Sequence, residues 1–378
     1  MNFDLPWDIQ TLRDVVRSFV ADKLIPIETE VDEDRPLPAE VLRGLQDQIK
    51  ELGLWLLDVP EDLGGPGLGF LARCVIEEEI AKTRALPFHT SELFGPVVDP
   101  ILRHAAGDQK QRFLEAVAKG ELKACFALSE PGGSNPAHVA AEAVRDDAHY
   151  VLTGQKRFVT GAATADFAEV ICKTEGGVSC LLVDLKSPGV TLLDPWEMIT
   201  GEKLGEIDFR GVRVPVENRI GAEGHGPALV EEWLTISRLK AQAARAVGFS
   251  QRAIDMAALY STERKTFGQT LSKRGAVQRM IAESATEIEA ARLLVYQAAW
   301  LIDEGRDSGQ ASRMAKIFAT EMSNRVVDRA IQILGGTGLM RDLPLEYWYR
   351  QARSIRLADG APEALRSEIG VSVIEAVS

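Results

Sequence analysis

The spacing of apolar residues changes twice along this chain, and those changes limit its fold more than any single residue does. From Asp8 to Leu24, residues Ile9, Leu12, Val16, Phe19, Val20 and Leu24 share one helical face, and Pro26 stops the pattern. Pro38 to Leu52 repeats it with Val41, Leu42, Leu45, Ile49 and Leu52, ending at Gly53. A Gly/Pro-rich stretch follows, then a helix bearing Glu77, Glu78 and Glu79, an acidic trio that reads as a solvated face. From about Leu122 the runs become short and β-like: Ala124–Leu128, Tyr150–Thr153, Ala168–Lys173, Val178–Val183 and Ile207–Val214, with turn residues between them. Helix returns from Glu231.

Within that last part, Ile281, Ile288, Val295 and Ile302 recur every seven residues, and Val277, Ser284, Ala291 and Ala298 lie four residues before each. A large-residue stripe beside a small-residue stripe lets helices approach closely, so these positions predict a packed bundle core. Gln310–Leu334 predicts another long helix, ended by Gly335-Gly336. The expected class is α+β, mostly α. A helical domain (1–121) precedes a middle antiparallel β-barrel or sandwich (122–230), and a four-helix-type bundle (231–378) completes the chain.

A length of 378 residues suits two or three domains. The formal net charge of −13 argues against non-specific nucleic-acid binding, which needs a basic face. The N-terminal segment lacks a basic leader followed by an apolar core, and no apolar run is long enough to span a membrane. A cytoplasmic location is expected. Cys74, Cys125, Cys172 and Cys180 have no CxxC spacing, so reduced thiols are expected, without structural disulfides or a metal site.

Two segments near the C-terminus carry chemistry on their residues alone. In QILGGTGL (Gln332–Leu339) the glycines allow positive φ and let backbone N–H groups approach an anion, although two glycines after a helix also make an ordinary C-cap. In ADGAPEALR (Ala358–Arg366), Asp359 could act as a base or could cap the helix beginning near Pro362.

A wider resemblance bears on both. ELGLWLLDVPEDLGGPG (Glu51–Gly67), LSEPGGSN (Leu128–Asn135), GQKRFVTGA (Gly154–Ala162), FRGVRVPVENRIG (Phe209–Gly221), ERKTFG (Glu263–Gly268), DRAIQILGGTG and YRQARSIRLADG occur in the order seen in the acyl-CoA dehydrogenase family. The chain resembles that family over essentially its whole length, with Ala358-Asp359-Gly360 at the catalytic-base motif. The resemblance implies a flavoprotein oxidoreductase of acyl-CoA metabolism and β-oxidation. Its cofactor would be FAD, its substrate an acyl-CoA or carrier-protein thioester, and its partner an electron-transfer flavoprotein. It would assemble as a dimer of dimers.

By the same resemblance, Leu128, Ser129, Gly133 and Ser134 would contact the flavin and its diphosphate. Phe158 would pack on the ring, where the family often has Trp, and Thr160 would bond its edge. Arg264, Phe267, Gln332, Gly335 and Gly336 would reach the FAD of a neighbouring subunit, and Glu363 would also face the cofactor. Ser134, Arg238 and Gly360 would bind substrate. Asp359 would take the α-proton of the thioester while the β-hydrogen leaves as hydride to the flavin. Its own N–H is a candidate donor to the enolate oxygen.

The chain also departs from the family. Aspartate is one methylene shorter than glutamate, and no Glu stands at the alternative base position near Ser237–Arg238. Arg238 falls one residue early against the family's helix arginine, a turn of about 100°. Gly275 replaces a glutamine, and Ala361 replaces a threonine. Two other readings stay open on these grounds. One is a non-catalytic subunit that completes the flavin site of a paralogous chain; the other is a flavin oxidase or monooxygenase on the same fold.

Overall fold

The computed structural model describes residues 4–31, 37–88 and 92–377. Its first helices are α1 (Trp7–Phe19), α2 (Ala39–Glu51), α3 (Phe70–Ile80) and the short α4 (Ala116–Ala118). After the strands come α5 (Gly226–Ser237), α6 (Arg245–Glu263), α7 (Gly275–Asp303) and α8 (Gly309–Leu334), then α9 (Leu345–Ile355) and α10 (Pro362–Glu375). The strands are β1 (Ala124–Ala127), β2 (Glu142–Asp146), β3 (His149–Thr160) and β4 (Phe167–Thr174), followed by β5 (Gly177–Asp184), β6 (Val190–Glu197), β7 (Lys203–Pro215) and β8 (Arg219–Ile220). The chain divides into two compact units, Met1–Pro38 with Leu68–Phe88 and Thr235–Ser378, and Ala39–Gly67 with His89–Leu234.

The first unit is helical. Val277, Ser284, Ile288, Ala291, Val295 and Ala298 of α7 are buried, and Ile281 and Ile302 flank them half-buried, as the seven-residue spacing predicts. Ala315, Ala319, Met322, Val326 and Ala330 of α8 join the same core, with Ala243, Val247, Phe249 and Ala253 from the segment leading through α6. Phe249 stacks on Trp348 of α9 with ring centroids 6.2 Å apart. Gly248 is required where α6 crosses α3. A Cβ there would lie 2.0 Å from the Glu78 carbonyl oxygen, so any side chain would force the helices apart.

That crossing overturns the expectation for the acidic trio. Glu77, Glu78 and Glu79 are buried, because α3 is enclosed on nearly every side. Three consecutive residues fan out by about 100° each, so the three carboxylates reach three different neighbours. Glu77 meets Arg245 of α6 at 2.8 Å. Glu78 accepts from Arg292 Nε at 3.0 Å and the Tyr296 hydroxyl at 2.8 Å, both on α7. Glu79 bonds Arg17 of α1 at 3.0 Å and Lys82 at 2.7 Å. The clue in the sequence was the remainder of the helix: Leu71, Ala72, Cys74, Val75, Ile76 and Ile80 are apolar all round, the mark of a buried helix.

The second unit centres on one sheet, with strand order β6-β7-β3-β2-β4-β5-β8 and β1 beside β4. Its pairings are antiparallel except where β1 and β2 run parallel to β4. Leu152, Val170, Cys172, Leu181, Ile207 and Phe209 fill one core. Phe167, Ile171 and Leu182 pack instead against Ile101, Leu102, Phe113 and Val117. The predicted run Tyr150–Thr153 is the start of a longer strand, β3, which continues through Thr160 with register shifts between Leu152 and Gly154 and between Arg157 and Val159. Strands β2 and β6 gave no apolar alternation to read. Ala143 is the one buried residue of β2, and β6 is exposed over most of its length.

All four cysteines are free and buried, and burial pushes the Cys125 and Cys172 thiols up to about 12. Among the described residues no cluster could hold a metal, and no helix is long and apolar enough to cross a membrane.

Candidate active site

Asp359 sits in the short segment between α9 and α10, with a left-handed backbone at φ 55°. It does not cap α10. The N-cap position is Ala361, which makes no side-chain cap hydrogen bond. The carboxylate is held instead by the last residue of α5 and the segment that follows it. The Ser237 hydroxyl donates to Asp359 Oδ2 at 2.7 Å, and Gln242 Nε2 donates to the same oxygen at 2.8 Å. Among the described residues no hydrogen bond falls on Oδ1, so the second oxygen can accept a proton. Arg238 Nε donates to the Asp359 carbonyl oxygen at 2.9 Å.

Residues Arg238–Ala244 are wound as a wider π-type turn between α5 and α6. Such a turn takes up an additional residue and re-aims the side chains around it. Arg238 is 3% exposed and turned toward the Asp359 loop, so it lies beside Asp359 and Gly360. Gly360 has φ 114°, and its carbonyl accepts from Lys316 Nζ at 2.6 Å. Lys316, on α8, also donates to the Arg356 carbonyl at 2.9 Å. Burial pulls its ammonium down to about 8, although Asp359 nearby favours the charge.

Elsewhere in this unit the predicted cofactor residues lie at exposed turns. Phe267 tops the tight ribbon formed by Lys265–Thr266 and Gln269–Thr270, with φ 45° and a side chain 98% exposed. Arg264 is exposed and has no ion pair among the described residues. Gly335 ends α8 at φ 62°, and a Cβ on Gly335 or Gly336 would meet open space. The glycine pair therefore caps the helix and still leaves backbone accessible. Gln332 is exposed one turn earlier, and Glu363 is exposed in the first turn of α10.

In the other unit, Leu128 is buried at the end of β1 and Ser129 is half-buried, its carbonyl accepting from the Arg157 N–H at 2.8 Å. The loop then turns through exposed Gly132, Gly133 and Ser134, with open space where either glycine would carry a Cβ. A buried lysine fixes this loop as well. Lys156 Nζ donates to the Leu128 carbonyl at 3.0 Å and to Glu130 at 2.8 Å. Burial lowers the Lys156 ammonium. Burial alone would raise the Glu130 carboxyl, but bonds from Lys156 and the N–H groups of Ala141 and Ala140 bring it below its usual range. Phe158 stands at φ 59° beside the β3 irregularity, 52% exposed, and Thr160 is exposed at the strand's end. The Trp196 ring meets Phe158 edge-on at 6.3 Å, while its indole N–H is tied to Glu206 at 2.5 Å.

Each unit thus carries an aromatic side chain held out at a left-handed residue, and a glycine turn with open space where a Cβ would stand. Such features suit a group with a flat ring system and an anionic tail. Ser237, Gln242, Lys316, Lys156, Glu130 and Trp196 were not singled out in the sequence. Their signal was absent, since each acts through contacts remote in sequence. A cavity of about 770 Å³ in the helical unit holds none of the predicted residues; its walls include Arg17, Lys82, Arg252, Arg292, Glu78 and Glu79.

Comparison with known proteins gives the family. Residues 7–121, 125–212 and 224–374 match, in turn, the N-terminal, middle and C-terminal domains described for acyl-CoA dehydrogenase. The chain is 33% identical to the mitochondrial short-chain specific acyl-CoA dehydrogenase of Rattus norvegicus over 96% of its own length and 89% of that protein. It is 33% identical to the caffeyl-CoA reductase-Etf complex subunit CarC of Acetobacterium woodii, covering 93% of this chain and 94% of that one. The solved FAD complex of PigA superposes with a TM-score of 0.87 at 25% identity, over 99% of both chains. The protein is an oxidoreductase whose cofactor is FAD, and the exposed aromatics and open glycine turns fit that group. By its three domains in order and by these relatives, the chain belongs to the acyl-CoA dehydrogenase family.

Proposed function

We propose that this protein oxidises an acyl-CoA thioester to its α,β-unsaturated product, with Asp359 as the general base. The single observation that carries this reading is the hydrogen bonding of the carboxylate. Ser237 and Gln242 both occupy Oδ2, which orients the group and leaves Oδ1 to take the α-proton. Bound FAD supplies the hydride acceptor for the β-hydrogen. Leu128, Ser129, Gly133, Ser134, Phe158 and Thr160 would hold it from one unit, and Arg264, Phe267, Gln332, Gly335, Gly336 and Glu363 from the other unit of a neighbouring subunit. Positive charge on Arg264, which has no ion pair among the described residues, suits a diphosphate. Arg238, Ser134 and Gly360 would orient the thioester. The Asp359 N–H would stabilise the enolate oxygen as charge builds there.

Electrons would pass onward to an electron-transferring flavoprotein, a reading supported by the Etf complex in which the Acetobacterium relative is a subunit. The assignment also takes the chain as three domains, 1–121, 122–230 and 231–378, assembled as a dimer of dimers. The test is an absorption spectrum of the purified protein followed by an anaerobic panel of acyl-CoA substrates, with the product identified by mass. A yellow protein bleached by at least one acyl-CoA, with loss of two hydrogens from the acyl group, supports the assignment. A colourless protein that turns yellow only with a second chain, or flavin turnover that consumes oxygen without another acceptor, would displace it.

A further inference from the structure

The loop that carries Asp359 has an unusual backbone. Asp359 and Gly360 are both left-handed, at φ 55° and 114°. A non-glycine residue in that conformation is strained, and it persists only where its surroundings over-determine it. Two cationic side chains from outside the loop supply that constraint. Lys316 Nζ bonds the Arg356 carbonyl at 2.9 Å and the Gly360 carbonyl at 2.6 Å, while Arg238 takes the Asp359 carbonyl between them.

Lys316 is 0% exposed, and it reaches the loop from the interior of α8. A lysine is rarely so deep without a partner that needs it. Here the partners are backbone oxygens on the two sides of a single carboxylate. We propose that Lys316 is a positioning residue for the reaction, pinning the loop before and after Asp359 so that the carboxylate stays aimed at the substrate. This rests on the reading of Asp359 as base.

The charged groups around the Lys316 ammonium are Asp359 and Arg356 on the loop, Arg238 on the turn after α5, and Glu321 on α8 itself. Burial is the strongest influence and lowers the ammonium to about 8; Asp359 and Glu321 favour its charge, and Arg238 and Arg356 oppose it. Loss of the proton replaces two charge-assisted hydrogen bonds by weaker neutral ones. The loop should therefore loosen as the pH passes through that range.

The test compares holoenzymes carrying Lys316→Met and Lys316→Arg with the parent. In Lys316→Met, flavin content should be unchanged and amide hydrogen exchange should quicken about tenfold or more in the peptide covering residues 356–361, but not in α7. The rate of bleaching by acyl-CoA should fall by about 10- to 100-fold, the cost of a base displaced by about an ångström. The parent should lose activity above about pH 8. Lys316→Arg, whose guanidinium does not titrate there, should lose that limb and stay faster than Lys316→Met. Unchanged exchange in the loop, an unchanged bleaching rate in Lys316→Met, or a limb near pH 8 that survives in Lys316→Arg would each overturn the proposal. Asp359→Asn, assayed in parallel, separates the two claims. Full bleaching in that variant removes the base, whereas the exchange measurement reports on Lys316 whichever residue is the base.

Discussion

Ser237 donates its hydroxyl to Asp359 Oδ2 over 2.7 Å, joining residues 122 positions apart in the chain. The resemblance puts an alternative base position near Ser237–Arg238, and here Ser237 supplies a donor to Asp359. With Ser237 and Gln242 both donating to one oxygen, a short acid is held in a fixed orientation. Ser237→Ala should slow flavin reduction by about tenfold, the worth of one hydrogen bond to a charged group. Flavin content should not change. Stopped-flow reduction with a saturating acyl-CoA measures this, and an undiminished rate would mean that the hydroxyl does not orient the carboxylate.

The buried acidic helix makes a separate prediction about stability. Glu78 is 5% exposed and depends on Arg292 and Tyr296. Arg292→Met would leave that carboxylate without its charge partner, and breaking one side of a buried pair costs about 3–5 kcal/mol. Urea denaturation should show a loss of that order with the slope of the transition preserved. A change below about 1 kcal/mol would place the pair among weak surface contacts.

Lys316 gives a pH dependence whose sign follows from its depressed ammonium. Between about 8 and its ordinary 10.5 the unfolded chain binds a proton that the folded chain does not. Stability from this group therefore rises as pH increases through that window and is lowest below it. Relative to Lys316→Met, the parent should gain on the order of 3 kcal/mol across the interval. Thermal melts of both proteins at a series of pH values test this, and a difference that stays constant with pH would show that the amine is not desolvated as described.

What could be read in the sequence was local, and what was missed was relational. The stripe through Val277, Ser284, Ala291 and Ala298 was legible because a helix repeats its contacts at fixed spacing. Gly335-Gly336 and Asp359 were legible through short motifs, whose order along the chain carried the resemblance. Glu77–Glu79 misled, because three adjacent charges look the same on a solvated face as on a helix whose every side finds an arginine. Lys316 and Lys156 gave no signal, since the carbonyls they bind lie 28 to 44 residues away. Arg238, one residue early against the family's helix arginine, stands at the start of the wider turn 238–244, a departure from straight helix that no apolar spacing announces. Strand β6, with most of its residues exposed, offered no alternation for pattern reading to detect.

The central claim is that Asp359 removes the proton that starts the reaction. Asp359→Asn keeps the size of the side chain and removes its basicity, so its effect on chemistry can be separated from its effect on folding. Anaerobic mixing of the flavin-loaded variant with the best acyl-CoA of the panel should give bleaching slowed by about 10²–10⁴-fold, the usual worth of a general base. The flavin should remain bound. Rapid bleaching at the parent's rate would contradict the account.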